Sequence, residues 1–258
     1  GILPIDIGGG IFDHHAAQIK ITASRLIAET LGVAQSPALQ KLLAYAERDD
    51  FYGKGTISQD PLDRAFGLSG LLVNLNKKFR NEPVRSFTTA MPLIEAHYEE
   101  ENRRTEILPK EFAEKKANGE AIFFFAVQKG KKLNIVILSS DNGSMSGYLR
   151  SQTGGHFDIV VQKISTGHVN IMTRPTKRVI ISHLAGLIRA KELEKKGISS
   201  LPADIDRPGR IIEIPEWYYD PATNSIQNGG WNPREVLPTQ IPLREFKNIL
   251  EVGLSESR

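Results

Sequence analysis

The stretch PIDIGGGIFDHH, residues 4–15, decides how the rest of the chain is read. Ile2 to Ile7 is the length and composition of a short buried strand. Gly8-Gly9-Gly10 is a turn in which backbone takes positive φ and approaches a ligand closely. Ile11-Phe12 is a second apolar step, and it runs into Asp13-His14-His15. A carboxylate, Asp6, thus closes one strand and a pair of imidazoles closes the next. In a parallel sheet both would converge at the carboxyl edge, where open α/β folds place their ligands. Carboxylate suits hard divalent ions and imidazole suits manganese, iron or zinc. Asp49 or Asp50, at the end of a predicted helix, can add a further oxygen. Singly, an Asp-Gly-Gly is a turn and a His pair is a surface feature; in this order they point to a metal.

Outward from this segment, the spacing of Ile21, Leu26, Ile27 and Leu31 predicts a helix that ends at Gly32. Residues 37–48 predict another, ending at Arg48-Asp49-Asp50. Residues 61–79 and 86–118 follow as helices, the second long, charged and weakened near Pro92 and Pro109. The texture then changes. Residues 121–128 and 132–139 read as strands joined by a hairpin at Lys129-Gly130-Lys131. Asp141 is placed to cap a short helix through Arg150. Strands are predicted at 157–164, 169–173, 210–219 and 225–226, and helices at 182–196 and 242–252. The fold class is therefore α/β. A helix-rich domain with a parallel sheet occupies residues 1–118, and a smaller α+β domain with a largely antiparallel sheet occupies 119–258.

Composition bounds the function. Apolar residues are 40% and charged residues 24% of the chain, enough for a sizeable core. No apolar run is long enough to span a bilayer, and no membrane partner is expected. The chain has no cysteine, which excludes disulfides and thiol chemistry and fits a reducing compartment such as the cytoplasm. Net charge is +3, unevenly spread: from Lys129 to Arg210 there are 14 Lys and Arg against 6 Asp and Glu. A basic half beside an acidic half suits an anionic ligand held near a carboxylate-bound cation. Scattered solvated charges would give the same count.

The order PIDIGGGIFDHH, then a helix, then YAERDDF at 45–51 resembles the DHH phosphoesterases, and within them the MYG1-like branch. The resemblance covers about residues 3–60, with a looser one to the accessory domain over about 121–190. It implies hydrolysis of a phosphodiester, or of a phosphoanhydride, with manganese as the cofactor and magnesium as the alternative. Asp6 looks like the carboxylate that bridges two ions, and His14 like a ligand. Asp49 looks like the last ligand, with Asp50 the alternative. Asp13 would orient an imidazole, and His15 would contact the phosphate. Gly154-Gly155-His156 is similar to a Gly-Gly-His of the family's substrate domains, where amides and the His approach a phosphate. His168, in Thr166-Gly167-His168, is a second candidate of that kind, and Arg150, Arg174 and Arg189 are candidate phosphate ligands. Trp217, Tyr218, Tyr219 and Trp231 could stack bases or simply cover the sheet.

The family's pattern includes an upstream segment with a His and two Asp that has no counterpart in this sequence. The expectation is a longer natural protein, a second chain or second copy that supplies the segment, or a chain that has lost catalysis. The first reading is a metal-dependent nuclease or oligonucleotidase acting on a phosphate-containing substrate such as short RNA or DNA. The alternative is a degraded DHH-like protein that binds nucleic acid or a protein partner.

Overall fold

The computed structural model describes residues 3–15, 20–53, 58–176, 179–229 and 235–255. Trp231, a candidate for base stacking, lies outside them. The chain divides into two compact units, Gly1–Ile107 and Leu108–Arg258. The expected boundary near residue 118 falls one helix later.

The first unit is helical. The helices are α1 (Ala23–Thr30), α2 (Gln40–Tyr52), α3 (Pro61–Phe66), α4 (Leu68–Lys78) and α5 (Pro83–Asn102). Thr22 caps α1, its side chain accepting the Arg25 N–H. Three contacts fix α2 in place. Arg25 Nε donates to Glu47 Oε1 at 2.6 Å, Lys41 Nζ reaches Glu101 Oε1 at 2.7 Å, and the Ser69 N–H donates to the Tyr45 hydroxyl at 3.0 Å. The buried apolar cluster here is small: Ala28, Ala34 and Leu43, with Leu39 against it.

The expected parallel sheet of this unit is reduced, among the described residues, to one parallel bridge between Ile5 and Phe12. Residues 2–7 were expected to be buried, yet Leu3, Ile5, Ile7 and Ile11 are all at least half exposed. Among the described apolar residues of this segment, held by that one bridge, Phe12 alone is buried.

The long charged helix is continuous through Pro92 but changes pitch before Pro109. Arg103–Ile107 forms a wider π turn, which leads into α6 (Leu108–Ala117). Proline has no N–H for the turn behind it and its ring crowds that carbonyl, and a widened turn accommodates both.

The second unit is built on a seven-stranded sheet in the order β1-β2-β3-β4-β7-β6-β5. The strands are β1 (Ile122–Gln128), β2 (Lys131–Ser139), β3 (Ile159–Lys163), β4 (Val169–Thr173), β5 (Gly209–Ile211), β6 (Ile214–Asp220) and β7 (Ser225–Asn228). Lys129 and Gly130 both take positive φ, the requirement of the tight hairpin that joins β1 to β2. All neighbours are antiparallel except β2 and β3, which run parallel with α7 (Met145–Arg150) between them in sequence. The molecule is thus an α/β protein with a mixed sheet. Alternation along the strands sends Ile135, Ile137, Val161 and Ile171 to one face and Val136, Leu138 and Val160 to the other. On the first face lie α8 (Ser182–Lys195) and α9 (Glu245–Ser255); α6 and α7 pack on the second. Asp141 does not cap α7. Its carboxylate accepts the Ser165 N–H at 2.6 Å, and Ser144 precedes the helix instead.

Among the described residues no helix is long and apolar enough to cross a membrane.

Candidate metal centre

Residues 5–15 fold into a tight loop around the Ile5–Phe12 bridge. The Asp6 N–H donates to the Phe12 carbonyl at 3.1 Å, and the Asp13 N–H to the Gly10 carbonyl at 3.0 Å. Asp6, Gly8 and Gly9 all have positive φ. Aspartate is among the few side-chain residues that tolerate this region, so the loop can carry a carboxylate at the bend itself.

The loop brings three side chains together. Ligand atoms of Asp6, His14 and His15 all lie within 4.8 Å of one another. His14 Nδ1 is 2.8 Å from Asp6 Oδ1, His15 Nε2 is 3.7 Å from the same oxygen, and the two imidazole centroids are 4.5 Å apart. The close pair has no hydrogen-bond alignment: Asp6 Oδ1 and His14 Nδ1 are both buried without a hydrogen-bond partner. Buried polar atoms left in this state are uncommon and call for a physical reason. Two donors bound side by side to one first-row ion, with bonds of about 2.0–2.2 Å, lie about 3 Å apart. The Asp6–His14 spacing has that value. The donor set, one carboxylate and two imidazoles, is one that manganese, iron or zinc accepts.

Asp13 does not orient an imidazole. Its two carboxylate oxygens accept the N–H groups of Gly9 at 2.7 Å and His15 at 3.0 Å. These bonds, that to His15 foremost, hold its carboxyl below the ordinary aspartate range. The side chain staples the loop, because an Asp two residues before an amide closes on its own backbone more readily than on a ring. The residue facing His14 from behind is Asp50, in the last turn of α2: its Oδ2 lies 3.2 Å from His14 Nε2. Asp50 is not among the three converging ligands, and neither is Asp49. Asp49 Oδ1 is nevertheless buried without a hydrogen-bond partner.

The substrate candidates of the second unit divide into two groups. Gly154, Gly155 and His156 lie with Arg174 at one end of β3 and β4. Arg174 donates to His156 Nε2 and to the carboxylate of the buried Asp158. His156 itself is exposed and has a φ of 59°. Gly154 has a packing reason of its own, since a Cβ there would stand 1.9 Å from the Tyr148 carbonyl oxygen.

The other candidates are committed to the fold. Arg189 is fully buried, and its guanidinium donates to the carbonyls of Ile205, Arg207, Gly209 and Trp217. Its Nε is buried without a partner, and with no surface exposed the side chain offers nothing to a phosphate from solvent. Burial also lowers its pKa, and that of Arg150. Arg150 ties α7 to β4 through the carbonyls of Ser146 and Thr173. His168 is buried, with one ring nitrogen on the Thr166 hydroxyl and the other on the Val236 carbonyl, both at 2.8 Å. Trp217 is core, its indole N–H donating to buried Glu192, and Tyr219 is buried too. Charge and residue type had marked these as candidates, but a sequence does not show which carbonyls a buried cation will meet.

Comparison with protein-family models, with curated proteins and with solved structures finds no match for this chain.

Proposed function

We propose that the chain is a divalent-metal-dependent phosphoesterase that hydrolyses phosphodiester bonds, with short RNA or DNA as substrate. The observation that carries this reading is the facing pair of Asp6 Oδ1 and His14 Nδ1, 2.8 Å apart and buried without hydrogen bonds. Asp6, His14 and His15 would hold the ion, manganese first and magnesium as the alternative. An ion in such a site neutralises charge on phosphate oxygens and makes an attached water more acidic. The chain's own residues supply the rest. Asp13 sets the loop so that both imidazoles approach Asp6. His15, with its side chain 66% exposed, is placed to donate to a phosphate oxygen.

A second reading rests on the size of the cluster. Three side chains suffice for one ion, whereas a two-ion clamp takes more. On that reading the chain binds nucleic acid or a partner without cutting.

Manganese-dependent hydrolysis of a short labelled oligonucleotide separates the two. The phosphoesterase reading expects cleavage that needs manganese and that the His14→Ala, His15→Ala double variant loses. Binding with no cleavage in either protein moves the second reading ahead.

A further inference from the structure

The His14 ring has a carboxylate at each nitrogen. Its side chain is only 13% exposed, so the ring has little room to turn. Nδ1 faces Asp6 Oδ1 without hydrogen-bond alignment. Nε2 faces Asp50 Oδ2 at 3.2 Å, also without hydrogen-bond alignment, and Asp50 stands outside the group that Asp6, His14 and His15 form. A neutral imidazole carries one proton and one lone pair, and its neighbours decide which nitrogen has which.

We propose that Asp50 is a positioning residue: it accepts the His14 proton at Nε2 and so presents the Nδ1 lone pair to the cation side, beside Asp6. The proposal deepens the metal-site reading above and rests on it for the presence of a cation. The place of Asp50 in the fold supports it. Asp49 and Asp50 stand near the C-terminal end of α2, which has no basic residue in its last turn. The helix dipole puts partial negative charge there, so a carboxylate is disfavoured unless a donor faces it. His14 Nε2, 3.2 Å away, would supply one if it carries the ring proton. Asp50 is also held by a well-anchored element, through the contacts of Glu47, Lys41 and Tyr45 on the same helix. Metal-bound imidazoles commonly give their second N–H to a carboxylate, which fixes the ring and raises its basicity. Here that role passes from Asp13, next to His14 in sequence, to a residue on a different element.

The test has two readouts on the whole chain. The first is the tautomer of the His14 ring in metal-free protein, read from the imidazole nitrogen shifts of a nitrogen-15-labelled sample at mildly alkaline pH. The expected state has the proton on Nε2. Asp50→Asn keeps an oxygen that can accept this proton and retains the state, whereas Asp50→Ala loses the preference. The second is manganese affinity by titration calorimetry. Asp50→Ala should weaken it about 10–100-fold, and Asp50→Asn by only a few-fold. Equal loss in the two variants would make Asp50 a ligand and overturn the proposal. So would a ring tautomer and an affinity that Asp50→Ala leaves unchanged. If the unmodified chain binds no manganese, the metal-site reading fails, and the tautomer measurement still decides what Asp50 does to His14.

Discussion

The two units differ in what surrounds their buried charged groups. In Leu108–Arg258 buried charged groups such as Arg189 and Glu192 make most of their bonds to protein, with Nε of Arg174 and of Arg189 and Oε2 of Glu216 left over. Arg189 is spread over four carbonyls, and Glu192 accepts from Trp217, Thr239 and Gln240. His168 has a partner at each nitrogen. In Gly1–Ile107, Asp6 and His14 place their closest atoms together with no hydrogen bond between them. Burial with satisfaction is architecture: the group completes a network and has nothing left for a ligand. Burial without satisfaction is a demand that something else must meet. The second unit has such atoms too, in the amide of Asn170 and Oε1 of Gln162, cross-strand neighbours on β4 and β3. Nε of Arg174 and of Arg189 and Oε2 of Glu216 are in the same state. Nothing in the structure explains these atoms, and among the described residues none of them belongs to a group of three metal-binding side chains such as Asp6, His14 and His15 form.

The hardest test of this contrast is Arg189→Met. It leaves four carbonyls without their donor in a fully buried position. We expect a loss of about 3–5 kcal/mol. Both tryptophans of the chain, Trp217 and Trp231, belong to this unit, so urea unfolding followed by tryptophan fluorescence reads it directly. A variant of normal stability that had lost oligonucleotide binding would restore Arg189 as a phosphate ligand and break the comparison.

Gly154→Ala comes next. The new Cβ would meet the Tyr148 carbonyl oxygen at 1.9 Å, so backbone must move. Overpacking of this kind costs about 1–3 kcal/mol, and the same unfolding curve measures it. Unchanged stability would mean that the loop, and with it His156, is loosely held.

Adding manganese should act on the other unit. At about 100 times its dissociation constant an ion that binds only the folded state stabilises it by about 2.7 kcal/mol. Amide hydrogen exchange should slow in residues 5–15 and in α2, and chelator or His14→Ala should abolish the effect. Protection that appears only in the second unit would remove the basis for the metal reading of Asp6 and His14.

How far the sequence foretold these differences depends on the range of the forces involved. The β1–β2 hairpin was legible because Lys129-Gly130 and the alternation beside it are local. So was the convergence of Asp6, His14 and His15, which one short loop brings about. The parallel pairing of β2 with β3 was not legible, since no local signal fixes which strands become neighbours. Nor were the roles of Arg189, Arg150 and His168, which depend on carbonyls 16 to 68 residues away, apart from the bonds of Arg150 to Ser146 and of His168 to Thr166. The partner of His14 shows the same limit. The family resemblance pointed to Asp13, but its carboxylate closes on nearby amides, and Asp50 comes to face His14 through the packing of α2.

The smallest expected effect concerns a carboxylate whose partner is backbone. Asp141 accepts the Ser165 N–H at 2.6 Å, and this bond holds its carboxyl below the ordinary aspartate range. A carboxyl with a depressed folded-state pKa adds stability that is present above its unfolded value, about 3.9, and is lost as pH falls through the folded one. Asp141→Asn has no proton to take up. Its urea midpoint should therefore lie slightly below that of the unmodified chain at neutral pH, and the two should converge on acidification. The shift is modest because the group is exposed and solvent screens it. A gap that persists undiminished below about pH 3 would mean that Asp141 acts through the shape of the turn and not through its charge. The satisfied network of the second unit would then owe less to ionised groups than the buried arginine suggests.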